Sequence, residues 1–407
     1  MNPMRQVDIC INGAGPVGAT LACRLAASGL RVLLIDRSPL PGMEHPSLDG
    51  RAYAITEGSR RMLVAAGIWQ HLPSPSQPIR SITVSDGRPG EPASPHGLRF
   101  GPEDAPIENG EATPFGWMIE ARDLRAALNH ALTTHEGALD IAAPDTGRFE
   151  FGADHVEITL KSGPVYRAPL VIAAEGRQSP LRQQAGIMVT RLPYNQCGLI
   201  SIIHHERPHD DRALEHFLPQ GPFARLPLPP TIEHPYRSAI VWAEATRRAE
   251  RFYALDEAAF ANAIMQRLGD DVGRAVPVGR RWIYPLSAQY AQRYTAPRLA
   301  LAGDSAHGLH PIAGQGLNVG FKDIIALSAL LETRFASGGD LGGADLLARY
   351  QRQVRPHNMA IMAACDGLER LFGNDNPLLR FGRDLGLGVM SRLPGLRRTF
   401  VKKAMGL

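Results

Sequence analysis

The segment Gly13-Ala14-Gly15-Pro16-Val17-Gly18 constrains the fold of this chain more than any other six residues. Its pattern is G-x-G-x-x-G, and its surroundings give it meaning. Val7 to Ile11 reads as a buried parallel strand, and Pro16 to Ser28 as an Ala/Leu-rich helix closed by Gly29. Arg31 to Ile35 reads as a second strand ending at Asp36. Strand, glycine turn, helix and strand in this register make a βαβ unit suited to a dinucleotide. Gly13 permits the tight turn, Gly15 lets a pyrophosphate approach the backbone, and Gly18 lets helix and strand pack closely. The helix N-terminus, with Pro16 and Val17 in its first turn, offers unpaired N–H groups to the phosphates. Asp36 is placed to accept hydrogen bonds from an adenosine ribose, and Arg37 beside it joins the candidate contacts.

The loop alone does not separate NAD from FAD. A flavoprotein of this build needs a second contact strand much later, and Arg298 to Ala302 is a short apolar run ending in Gly303-Asp304. A carboxylate just past that strand, opposite the first loop, can hydrogen-bond the ribityl hydroxyls of a flavin. A glycine-rich loop then feeds a long amphipathic helix from about Gly316. The N-terminus of that helix would face the flavin's pyrimidine edge and stabilise the reduced anion.

Gly303-Asp304 with His310-Pro311-Ile312-Ala313-Gly314-Gln315-Gly316-Leu317-Asn318 resembles the second FAD signature of the single-component aromatic flavin hydroxylases. The wording H-P-I-A-G-Q-G-L-N resembles the branch that hydroxylates polyprenylated phenols in ubiquinone biosynthesis. Similarity covers nearly the whole chain, including Asp49-Gly50-Arg51, Glu120-Ala121-Arg122-Asp123-Leu124 and the C-terminal NDNPLLRFGRDLGLG. The resemblance implies FAD contacts at Arg51 and Arg122, and extends the cofactor set to Gly303, Asp304, Pro311, Gly314, Gly316, Leu317 and Asn318. A third signature, Leu170 to Arg182, carries Glu175-Gly176 where relatives usually carry Asp-Gly. The extra methylene keeps the charge but moves it.

The implied fold is α/β: a Rossmann-like FAD-binding domain with a parallel sheet, and a β-sheet substrate domain inserted discontinuously, as in para-hydroxybenzoate hydroxylase. We expect the flavin domain from residues 1–75, 115–185 and 285–365, and the substrate domain from 76–114 and 186–284. The latter pieces are β-rich by pattern, as in SITVSDG, GLISIIHHE, SAIVWAE and RRWIYPL. Residues 366–407 form a basic amphipathic helical region.

The implied activity is FAD-dependent hydroxylation of a polyprenylated phenol by O2 through a flavin C4a-hydroperoxide. The reductant is NAD(P)H or another donor. No second G-x-G-x-x-G sits on a strand–helix frame, so the reductant is expected to bind transiently on the protein face. Because the cofactor carries the chemistry, no acid–base constellation is required. Tyr194, His216 and Tyr284 are all candidates for assisting ring deprotonation, and the sequence does not choose among them. Two other readings stay open: a hydroxylase of a small soluble aromatic acid, or a non-enzymatic FAD-stabilised subunit of a quinone-biosynthesis complex.

No metal site is expected. His204, His205 and His209 read as an exposed turn beside Pro208, and His307 and His310 as loop residues near the flavin. Cys10, Cys23, Cys197 and Cys365 form no C-x-x-C, and no secretory leader precedes the first strand, which fits a cytoplasmic protein. Net charge is +4 over 407 residues, yet the last 31 carry seven Arg/Lys against Asp384 alone. The remaining body is therefore slightly acidic, and nucleic acid is not an expected partner. Apolar residues interleave with those cations, and Pro394-Gly395 divides the tail into two short helical pieces. Either both pieces pack on the body, or a basic face including Arg397, Arg398, Lys402 and Lys403 rests on the inner face of a membrane or on a membrane-bound partner.

Overall fold

Strands buried on both faces need continuous apolar runs, and four such runs build the centre of a six-stranded sheet. The computed structural model describes residues 4–44, 50–73, 75–91, 97–135, 137–309, 314–372 and 394–407. The sheet order is Leu139–Ala142, Val32–Ile35, Ile9–Asn12, Val171–Ala173, Leu299–Leu301 and Thr295–Ala296. All neighbours run parallel except the last pair. Cys10 sits opposite both Leu33 and Val171, and Val171 also faces Leu299. Segments some 290 residues apart in sequence thus end side by side. Helix Pro16–Ala27 packs against helices Ala121–Thr133 and Gln315–Ala336. A smaller sheet of Arg5–Gln6, Val165–Ala168, Val156–Leu160 and Gly147–Phe151 shares the same core through Phe149, Val156 and Ile158.

The second large sheet has eight strands, in the order His307–Gly308, Ala275–Ala291, Val189–His205, Arg237–Ala245, Gly221–Leu228, Arg212–Leu218, Ser81–Asp86 and Leu98–Phe100. Its pleat sorts residues by face. Leu199, Phe223, Ile240 and Trp242 point to a core completed by helices Thr246–Tyr253 and Glu257–Leu268. Their neighbours Gly198, Ile200, Ala224, Val241 and Ala243 line a cavity on the other face. Trp242 anchors the covered face, with the Arg267 guanidinium 3.7 Å from its ring centroid.

The β-rich reading of these segments finds its strands, which run longer than expected. Two further strands, Arg212–Leu218 and Gly221–Leu228, lie between them, the second carrying Pro222 and Pro227. The histidines need correction. His204 and His205 end a long strand instead of lying in a turn, and His205 is buried with Nε2 3.0 Å from Ser238 Oγ. His310 lies outside the described residues. In the tail, helix Pro394–Ala404 starts at the expected break, whereas the preceding piece lies outside the described residues.

Candidate active site

A cavity of about 1380 Å³ opens where the C-terminal ends of the parallel strands meet the second sheet. That is the edge at which ligands bind in open α/β sheets. Its volume exceeds the usual 300–1,000 Å³ of a small-molecule pocket, leaving room for a cofactor and a second molecule.

The polar end is built by the glycine loop. Gly13 holds φ +111°, and a Cβ there would lie 2.3 Å from the carbonyl oxygen of Ala174. A Cβ on Gly18 would lie 1.9 Å from the Gly13 oxygen, so both glycines serve close packing. Gly15 differs: a Cβ there meets nothing within 4 Å and would project into open space at the cavity wall. It is also the N-cap of helix Pro16–Ala27, with no side chain capping the first-turn N–H groups. This arrangement fits a diphosphate, whose oxygens would occupy the space above Gly15 and take those N–H groups.

Asp36 and Arg37 line the same end. Asp36 Oδ2 accepts from the Ala14 N–H at 2.7 Å and Oδ1 from the Ser38 N–H at 2.8 Å. Its carboxylate therefore fixes the loop while keeping lone pairs for a sugar hydroxyl. Arg125 Nη1 donates to Ala14 O at 2.6 Å, a support that the sequence reading did not single out. It lies one helical turn beyond Arg122, a spacing that could have flagged it. Arg122 is not among the cavity-lining residues, and its guanidinium pairs with Glu120 at 3.3 Å and Asp123 at 3.6 Å. Arg51 does line the cavity, its guanidinium carbon 5.6 Å from the Tyr53 ring centroid and 5.7 Å from that of Tyr284.

The late turn closes on the first loop. Gly303 has φ +57°, and a Cβ there would lie 3.1 Å from a Val17 methyl. Asp304 lines the cavity, and its Oδ2 is 3.2 Å from Arg177 Nε. Arg177 also donates to Ser287 O at 2.8 Å and Leu309 O at 3.1 Å, which ties the third motif to the late turn. Glu175 accepts from Asn12 Nδ2, Ser179 Oγ and, at 3.2 Å, the Leu181 N–H. Burial raises its pKa, against the pull of those donors and Arg182. The added methylene lets one carboxylate bridge a strand end and a helix start.

Gly314, Gly316 and Leu317 line the cavity at the start of helix Gln315–Ala336, and Gly314 is a left-handed N-cap without a side-chain cap. Asn318 is a clamp in this structure: Oδ1 accepts from the Thr56 N–H at 2.9 Å and Nδ2 donates to Ala54 O at 2.7 Å. Pro311 and Asp49 lie outside the described residues. Of the three ring-deprotonation candidates, only Tyr284 lines the cavity. His216 Nδ1 is 2.7 Å from Ser85 Oγ, and burial pushes its pKa down to about 4. Tyr194 donates to Asp366 Oδ1 at 3.2 Å.

The far end of the cavity is largely apolar, walled by Ile82, Leu98, Phe100, Phe217 and Leu226 from the sheet and by Val401 and Met405 from the C-terminal helix, with Glu215 of the Phe217 strand also in the lining. The basic-face reading needs correction here. Arg397 is not a solvated cation: it ion-pairs with Asp104, donates to Arg99 O at 2.6 Å and lies over Phe100.

A glycine loop open to a diphosphate, a late carboxylate-bearing turn and an uncapped helix start, converging on one large cavity, fit an FAD-dependent oxidoreductase. The comparisons agree with that class. The chain belongs to the family described as FAD binding domain, whose model matches residues 6–365. It is 39% identical to "Ubiquinone hydroxylase UbiL" of Rhodospirillum rubrum over 98% of this chain and 89% of that protein. It is 31% identical to "3-demethoxyubiquinol 3-hydroxylase" of Escherichia coli over 98% of both. Among solved structures, p-nitrophenol 4-monooxygenase PnpA from Pseudomonas putida shares its fold, with a TM-score of 0.77, 15% identity and 99% coverage of both chains. No helix among the described residues is long and apolar enough to cross a membrane.

Proposed function

We propose that this protein is an FAD-dependent monooxygenase that hydroxylates the aromatic ring of a polyprenylated phenol in ubiquinone biosynthesis. The observation that carries the reading is one cavity with two chemically distinct ends, a glycine-lined polar end and a long apolar end. The printed names of its relatives supply the substrate class. Bound FAD, reduced by NAD(P)H or another donor, supplies the activation of O2.

The chain's own residues do the rest. Gly15 and the first turn of helix Pro16–Ala27 bind the diphosphate, Asp36 and Arg37 the adenosine side, and Asp304 the ribityl chain. Arg51 is a further cofactor contact, held between Tyr53 and Tyr284. The uncapped start of helix Gln315–Ala336 stabilises negative charge at the cavity wall. The apolar sheet face excludes water and holds the ring and its tail. Outside, the exposed Arg398, Lys402 and Lys403 offer a basic surface to an anionic membrane face, from which such a substrate would be drawn.

The test is NAD(P)H oxidation by the FAD-loaded protein, with polyprenyl phenols and soluble hydroxybenzoates compared and product masses measured. Polyprenyl phenols should stimulate oxidation and gain one oxygen atom. Stimulation by soluble hydroxybenzoates alone would overturn the substrate class, and tight FAD without any stimulated oxidation would overturn the enzymatic reading.

A further inference from the structure

Helix Pro394–Ala404 repeats its inward contacts at helical spacing. Arg397, Val401 and Met405, four residues apart, face the body, and Val401 and Met405 are buried in the core shared with Phe100 and Leu98. Ala404, three residues after Val401, lines the cavity yet remains exposed, so it marks where the cavity meets solvent. Two polar anchors hold the helix in place. At one end Arg397 grips Asp104 and the Arg99 carbonyl, directly behind the cavity-lining Phe100. At the other, the Gly58 N–H donates to Met405 O at 3.0 Å, and a Cβ on Gly58 would lie 2.5 Å from Gly406 O.

A wall needed only for stability could be sealed by larger apolar residues. This one presents a short side chain at the rim and a flexible one inside, on an element pinned by polar contacts at its ends. We propose that Val401, Ala404 and Met405 are the specificity-determining residues of the site: they form the wall past which the isoprenoid tail of the substrate runs to solvent, with the Arg397–Asp104 pair holding that wall at its working distance. The proposal rests on the polyprenyl-phenol reading above. A short-tailed phenol ends before reaching Ala404, whereas a long-tailed one must pass it.

The experiment measures equilibrium binding of a short-tailed and a long-tailed prenyl phenol to the FAD-loaded protein, with turnover alongside. Ala404→Trp should weaken long-tail binding about tenfold or more, since an indole there displaces several buried methylenes, and leave the short-tailed phenol unchanged. Thr399→Trp, which puts the same indole at an exposed position of the same helix, should alter neither. Arg397→Gln should shrink the preference for the long tail by loosening the wall. FAD content and unfolding temperature are read for every variant, and Arg397→Gln tests the idea even if Ala404→Trp fails to fold. If wild type shows no tail-length preference, or the Ala404 and Arg397 variants keep the wild-type preference, this assignment is overturned. Absence of any prenyl-phenol turnover would instead overturn the function on which it rests.

Discussion

His307 Nε2 lies 2.5 Å from Asp323 Oδ2, and neither side chain reaches solvent. The same Oδ2 accepts from the Gly303 N–H at 2.9 Å, and Oδ1 accepts from Asn358 Nδ2 at 2.7 Å. One buried carboxylate therefore joins the late turn, helix Gln315–Ala336 and helix Ala344–Phe372. Gly303 immediately precedes Asp304, so this pair sits directly behind a proposed cofactor contact. Removing one partner of a buried pair strands the other charge. His307→Gln should thus destabilise the protein by about 3–5 kcal/mol in denaturant titration. A loss below about 1 kcal/mol would show that the pair is not ionic.

That pair also carries a pH dependence. Burial works against charge on His307, but the Asp323 charge and hydrogen bond, with Asp304 beyond, outweigh it and raise its pKa above the ordinary 6.5. A folded pKa above the unfolded one contributes stability that is complete below the unfolded value and is lost as pH rises through the folded value. The stability gap between wild type and His307→Gln should therefore be widest at mildly acid pH and narrow on the alkaline side. A gap that widens with rising pH would reverse the assigned charge state.

Gly15→Val isolates the phosphate cradle from the fold. The Gly15 backbone is at φ −62° and ψ 174°, an extended conformation open to any residue, and its Cβ direction is clear. The variant should fold with an apoprotein unfolding temperature near that of wild type, while losing FAD. Flavin absorbance after gel filtration reports the loss, and stoichiometric FAD in the variant would remove the diphosphate from this loop.

Asp304→Ala tests the other end of the cofactor. Arg177 would keep its Ser287 and Leu309 carbonyl partners, so the turn remains supported. A hydrogen bond to a charged group contributes about 1.5–3 kcal/mol, so FAD affinity should fall by about one to two decades. Unchanged affinity by fluorescence titration would rule out the ribityl contact.

The glycine loop and its strand–helix–strand frame were legible because each requirement is local: a turn, a close approach and apolar runs of the right length. The late turn was legible through its wording, although its contact with Val17 joins residues far apart in the sequence. The supports were hidden. Arg125 and Arg177 both donate to backbone carbonyls, and a carbonyl leaves no mark in a sequence. Asn318 sits within a flavin-like motif yet spends its amide on strand Ala52–Thr56. His205 reads as a turn residue because Pro208 and its charged neighbours mask the end of a strand whose burial depends on residues more than thirty positions away, such as Ser238. In the tail, spacing displayed an amphipathic helix, but not that its apolar side faces the cavity.

That last difference reshapes the test of membrane contact. Val401 and Met405 are buried against the body, so insertion of these side chains into lipid would require the helix to leave its seat. Arg397 must also stay out of any charge-removal variant, since losing it would loosen the helix on the body. The cations left facing outward on this helix are Arg398, Lys402 and Lys403, all exposed. Each contributes about 1 kcal/mol near an anionic surface, a sum that is reversible and screened by salt. Wild type should sediment with vesicles rich in anionic lipid at low ionic strength and release as salt rises. Replacing the three with Gln should weaken that sedimentation by about two decades while FAD content stays intact. If wild type does not sediment with such vesicles, or the triple variant binds them equally well, the outer face of this helix has no membrane role. Its function would then be confined to the cavity wall.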